Sequence, residues 1–137
     1  MSDEAAKLHI FVGKFTSRED ACQHTEEQWE PEPDESATDE DYAAWEDRNP
    51  IWPFSDELGV WLDHDFIETI DGSDRYDYLN SYLTNPDDLV HIRTTYPDSN
   101  IVVLVFPDAI DGSGANQMKS TSRLQYCGAF PFEWPGR

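Results

Sequence analysis

The chain has 137 residues, about one domain's worth, which excludes a large multidomain enzyme. With 38% hydrophobic and 13% aromatic residues it carries enough apolar bulk for one compact core, which excludes wholesale disorder. Twenty-nine Asp and Glu against nine Lys and Arg give a net charge of −20, which opposes nucleic acid and anionic membrane faces and points to a basic partner.

Met1 to Ile10 carries Asp3 and Glu4 before a brief apolar stretch, without the basic start, long apolar run and cleavage site of a signal peptide. No segment approaches the roughly 20 apolar residues of a membrane span, so a soluble, cytoplasmic protein is expected. Leu8 to Phe15 is apolar, β-branched and aromatic, and predicts a buried first strand. Ser17 offers a helix cap with Asp20 three residues on, and Ala21, Cys22, Thr25 and Trp29 fall on one helical face, predicting a helix over about 18–28. The acidic, proline-containing stretch that follows reads as an exposed loop leading to a cap at Thr38. Asp39 to Asp41 are placed favourably at the start of a short helix over Tyr42 to Trp45.

Asn49-Pro50 and Trp52-Pro53 break any continuing helix. Ser55 to Leu62 suits a short helix, whereas Asp63 to Ile70 is ambiguous between strand and helix. Asp71-Gly72-Ser73 is a turn, after which Tyr76, Leu79, Tyr82 and Leu83 form a helical apolar stripe ended by Asn85-Pro86. Asn85 suits a cap and Pro86 a first helical position, but Val90, Ile92, Thr94 and Tyr96 also alternate, so helix and strand both stay open there. Ile101 to Phe106, a continuous β-branched run, is the clearest central strand, with burial expected on both faces. Asp111 to Gly114 is a loop, and Ser122 to Phe132 a final strand. The order predicts one α+β domain over 1–137: a small antiparallel or mixed sheet, helices packed mainly on one face, and an acidic loop or insertion at about 30–47.

Charge is segregated along the chain. Residues 19–88 hold 23 acids against Arg48 and Arg75, and the flanking segments nearly balance. Two readings follow: a solvated insertion that keeps the protein soluble, or a single anionic face built to hold a cation. Trp29, Trp45, Trp52 and Trp61 lie in the same half with Tyr42 and Phe54, and aromatic anchors ringed by charge match the centre and rim of an interface. The same tryptophans suit a core equally well.

Chemistry-bearing motifs are scarce. Cys22 and Cys127 are too few for a disulfide framework and read as reduced thiols. Cys22 and His24, two apart on a helix, point to different sides and make a poor nucleophile and base. There is no nucleophile elbow, phosphate loop, H-E-x-x-H or dinucleotide fingerprint. Asp63, His64, Asp65 and Glu68 are the densest set of metal-capable groups and support an alternative reading as a metal-dependent hydrolase. A catalytic zinc needs three protein ligands, however, and His9, His24 and His91 have no motif spacing. A general acidic protein-binding domain is a further alternative. The expectation is therefore no enzyme, no cofactor and no metal.

The pieces His9 to Phe15, Asp56 to Glu68, Asn100 to Phe106 and Leu124 to Phe130 together resemble the immunity protein 22 family of bacterial polymorphic toxin systems. They span most of the chain while covering about a quarter of it, and Glu30 to Asp47 looks like an insertion relative to the family pattern. The resemblance implies a small protein that protects its producer by binding a cognate toxin. A toxin that cleaves nucleic acid needs a cationic cleft, and fixed carboxylates can occupy that field. The expected interface positions are Glu26, Glu27, Trp29, Glu30, Asp39, Asp41, Trp45, Asp63, Asp65 and Glu68, with carboxylates pairing to Lys or Arg and indoles packing.

Overall fold

The computed structural model describes residues 7–110 and 117–134. The loop expected at Asp111 to Gly114 lies outside the described residues. Four strands form one antiparallel sheet: β1 (Leu8–Gly13), β2 (Ile67–Ile70), β3 (Ile101–Val105) and β4 (Gln125–Phe130), in the order β2-β3-β1-β4. The two apolar runs take the centre because every side chain of β3, and nearly every one of β1, is buried. Asn100 locks their junction. Its side chain accepts from the Phe15 amide (2.9 Å) and donates to the Phe15 carbonyl (2.7 Å), continuing the ladder one step past Gly13. A bulge enters between β1 and β4, where Ile10 faces Gly128 and Phe11 faces Tyr126, leaving Cys127 as the extra residue. Gly128 supplies the positive φ (127°) that this bend uses.

The helices divide between both faces of the sheet, which corrects the expectation that they gather mainly on one. On the first face α1 (Arg18–Thr25) and α3 (Pro53–Leu58) bury Ala21, Phe54 and Leu58 with Trp52 against Phe11, Val103 and Val105. On the second, α4 (Arg75–Asn80) and α5 (Pro86–Thr95) bury Leu79 and Ile92, with Tyr82, against Ile10, Val12, Val102, Leu104 and Phe106. The reason is the period of a strand. Successive side chains of β3 point to opposite faces, so five buried residues in a row demand a cover on each. The α+β class and the antiparallel sheet are as expected.

Local chemistry sets the helix ends. The Asp20 amide donates to Ser17 Oγ at the start of α1 (3.0 Å). The chain turns extended at Glu26 rather than running on to residue 28, because Gln28 exchanges backbone hydrogen bonds with Ile51 (2.8 and 2.7 Å). Thr38 and Asp41 form a reciprocal capping box, and the helix it opens, α2 (Asp39–Arg48), is longer than the short helix expected over Tyr42 to Trp45. The acidic segment 30–47 is therefore loop only as far as Thr38. α3 stops early at Gly59, which takes the left-handed conformation (φ 75°), so the expected continuation to Leu62 does not form. Asp63 to Ile70 is both of its alternatives in turn: a 3-10 turn over His64–Phe66, then β2. At Pro86 helix wins over strand. Asn85 caps and Pro86 opens α5, and the alternation of Val90, Ile92, Thr94 and Tyr96 resolves as helix followed by its cap. No helix among the described residues is long and apolar enough to cross a membrane.

Candidate functional site

The bridge between Gln28 and Ile51 closes the base of an excursion that contains the acidic loop and α2. α2 buries none of its residues, so it is held by polar and aromatic ties instead of a core. The Trp45 indole N–H donates to the Glu30 carbonyl (3.0 Å), Asn49 bonds both the Glu30 amide (2.9 Å) and the Trp45 carbonyl (2.8 Å), and Arg48 Nε meets both Glu30 carboxylate oxygens (2.9 and 3.0 Å). The rings of Trp29 and Trp45 pack at 5.6 Å, with Tyr42 edge-on to Trp45 at 6.4 Å. This clamp holds Trp29 in place while 54% of it faces solvent.

Beside Trp29, the C-terminal end of α1 meets the 3-10 turn. Glu27 Oε1 lies 2.9 Å from His64 Nδ1, and the other ring nitrogen of His64 lies 3.3 Å from Asp65. Asp63 caps the turn through the Asp65 amide (3.1 Å). Below them, Thr25 and Thr69 share a buried hydroxyl hydrogen bond (2.7 Å), and the Trp52 indole N–H donates to the Thr25 carbonyl (2.9 Å), fixing α1 to β2 and to the start of α3. Thr25, Glu26, Glu27, Trp29, His64 and Ile67 line a cavity of about 280 Å³.

The ten expected interface positions thus separate. Glu26, Glu27 and Trp29 line one cavity, whose His64 wall carries Asp65 and the capping Asp63 beside it. Glu30 and Trp45 form the clamp behind Trp29, with the Glu30 carboxylate committed to Arg48. Asp39 and Asp41 are exposed at the start of α2, where Asp41 serves the capping box, and no described hydrogen bond or ion pair links them to the cavity. Glu68 belongs elsewhere. On β2 Ile67 and Thr69 turn towards α1, and Glu68 turns to the other face, where it accepts from the Tyr78 hydroxyl. Burial and this carboxylate together push the Tyr78 phenol far up.

The anionic half does not fold into one face. Asp74, Asp77, Asp87 and Asp88 accompany α4 and α5 on the second side of the sheet, away from the acids of α1 and the 3-10 turn. Of the four tryptophans in that half, Trp52 is core, Trp45 half-buried, and Trp29 and Trp61 exposed, Trp61 at 70%. Exposed Trp61 and His64, which meets Glu27, stand outside the ten expected positions. A tryptophan flanked by Val60 and Leu62 reads as core from sequence, and nothing local announces that His64 meets a glutamate 37 positions earlier.

For metal chemistry, Asp63, His64 and Asp65 bring ligand atoms within 4.8 Å of one another, without Glu68. The Cys22 thiol is pushed up to about 11, first by burial and then by Glu26, which opposes a thiolate nucleophile, and His24 points instead to Thr121 (2.9 Å). A larger depression of about 680 Å³ lies between Gly13–Lys14, Tyr96–Ser99 and Ser120–Gln125. Its charged groups, Lys14, Asp98 and Arg123, are of mixed sign. Arg123 is already held by Asp20 (3.1 Å) and the Phe15 ring (4.5 Å), so the smaller acidic cavity is the better site despite its size. No protein-family model matches the chain, and no curated protein or solved structure matches it.

Proposed function

We propose that this chain is a binding protein that neutralises a basic protein partner, with the acidic surface at the end of α1 as its contact. The observation that carries the reading is the exposed Trp29 indole, clamped by Trp45 and set beside Glu26, Glu27, Asp63 and Asp65. An indole held in place with charge around it matches the aromatic anchor and polar rim of an interface, and the carboxylates steer a cationic partner and repel anionic ones. The sequence pieces that resemble the immunity protein 22 family support a cognate toxin as that partner, and a nuclease would supply the required positive cleft. The chemistry needed is occupation, not turnover, and the partner is held without a cofactor.

The test is to combine the chain with the product of a toxin-domain gene neighbouring its own. Inhibition saturating at one chain per toxin, with nanomolar affinity, is the expected result; full toxin activity in the presence of excess chain overturns the reading. A second reading, a metal-dependent hydrolase, draws on the convergence of Asp63, His64 and Asp65. It requires roughly one equivalent of metal to stay with the purified protein, and elemental analysis decides it.

A further inference from the structure

At about 280 Å³ the cavity beside Trp29 falls under the roughly 300–1,000 Å³ of ordinary small-molecule sites, so its size suits one side chain. Its lining selects which. Thr25 and Ile67 are the inner residues, Glu27 supplies a carboxylate with Glu26 beside it in the lining, and Trp29 offers an indole kept in position by Trp45. One oxygen of Glu27 is taken by His64, which fixes the carboxylate and leaves its second oxygen to accept.

We propose that this cavity is the socket for a single arginine of the basic partner. The inference rests on the basic-partner reading above and names the residue that enters. The guanidinium plane stacks on the Trp29 indole, its N–H groups reach the second oxygen of the Glu27 carboxylate, and its methylene stem runs against Ile67. A guanidinium suits this lining better than an ammonium. It is planar and weakly hydrated, so it stacks on the indole and donates in its own plane at once, whereas an ammonium is a strongly hydrated point charge. A second copy of the chain is a poor occupant, since each copy brings a charge of −20.

The experiment is a nuclear magnetic resonance titration of the full chain with a glycine-serine peptide carrying one arginine. Its lysine and citrulline counterparts run beside it, with hexa-arginine as a general polycation. Saturable shifts are expected at the Trp29 indole N–H and the amides of Glu26, Glu27 and His64, about threefold tighter for arginine than for lysine and absent for citrulline. Trp29→Ala weakens the arginine peptide by about threefold to fivefold. Glu27→Gln, which preserves shape, weakens it similarly. Equal binding of lysine and arginine overturns the guanidinium assignment. If hexa-arginine binds but the single-arginine peptide leaves these signals unmoved, or both variants bind it unchanged, the socket is overturned and the basic-partner reading stands. If no cationic peptide binds, both fall.

Discussion

Glu27 and His64, 37 positions apart in the chain, meet at 2.9 Å and join the end of α1 to the turn that leads into β2. Both are partly solvated, so the pair contributes little to folding. A double-mutant cycle with Glu27→Gln and His64→Gln should give a coupling of about 0.2–1 kcal/mol in urea unfolding. The same pair orients the acidic cavity, and each single substitution should cost more in partner affinity than in stability. Equal losses in both assays would make the contact structural only.

His24 is buried, with Nε2 on Thr121 and Nδ1 4.0 Å from Glu57, whose carboxylate is held down by Ser122. Burial lowers the His24 pKa; Glu57 opposes that shift and the nearby Arg123 adds to it. Burial also lowers His9. The folded state therefore binds a proton less readily than the unfolded chain. The resulting stability is complete above the unfolded histidine value near 6.5 and is lost as pH falls through the folded values. Urea unfolding should show stability declining from pH 7.5 to pH 5.5, with a shallower decline in His24→Asn. An unchanged slope in that variant would show that His24 is not responsible.

The core and the excursion should separate under mutation. Phe54, fully buried, sits edge-on to Phe11 at 5.0 Å, and Phe54→Ala should cost about 3–5 kcal/mol of global stability. That is a large share of the roughly 5–15 kcal/mol typical of a folded domain.

Thr38→Ala removes the cap of a helix that buries nothing. It should lower hydrogen-exchange protection of α2 by about fivefold, from a loss of about 1 kcal/mol. The melting temperature should stay unchanged. A parallel fall in protection across β1 and β3 would show instead that α2 unfolds with the sheet.

What was legible in the sequence was local or periodic. Ser17, Thr38 and Asn85 announce helices because a cap needs only its next three residues, and IVVLVF announces a central strand because no solvent-facing strand is apolar throughout. That same run already implied a cover on each face, which conflicts with helices on one side; the strand's own burial was the stronger constraint. Asp63 to Ile70 resisted assignment because the structure changes type within it. The site was less legible. Trp29 and Trp52 carry the same side chain in similar acidic surroundings, and their opposite fates depend on whether the indole N–H finds the Thr25 carbonyl, as that of Trp52 does, which is a matter of tertiary placement. Glu68 illustrates the strand period: one residue from Ile67, it faces the opposite side of the sheet.

The central claim is that the acids beside Trp29, and not acidity in general, hold the partner. The two helical layers provide the control, because both carry exposed carboxylates. The decisive measurement is affinity for the proposed toxin partner in two charge variants: Glu26, Glu27, Asp63 and Asp65 changed to Lys together, and Asp74, Asp77 and Asp87 changed to Lys together. Binding should fall by about 100-fold or more for the first set and by less than about threefold for the second. Equal losses, or a greater loss from the α4 and α5 set, would contradict the account.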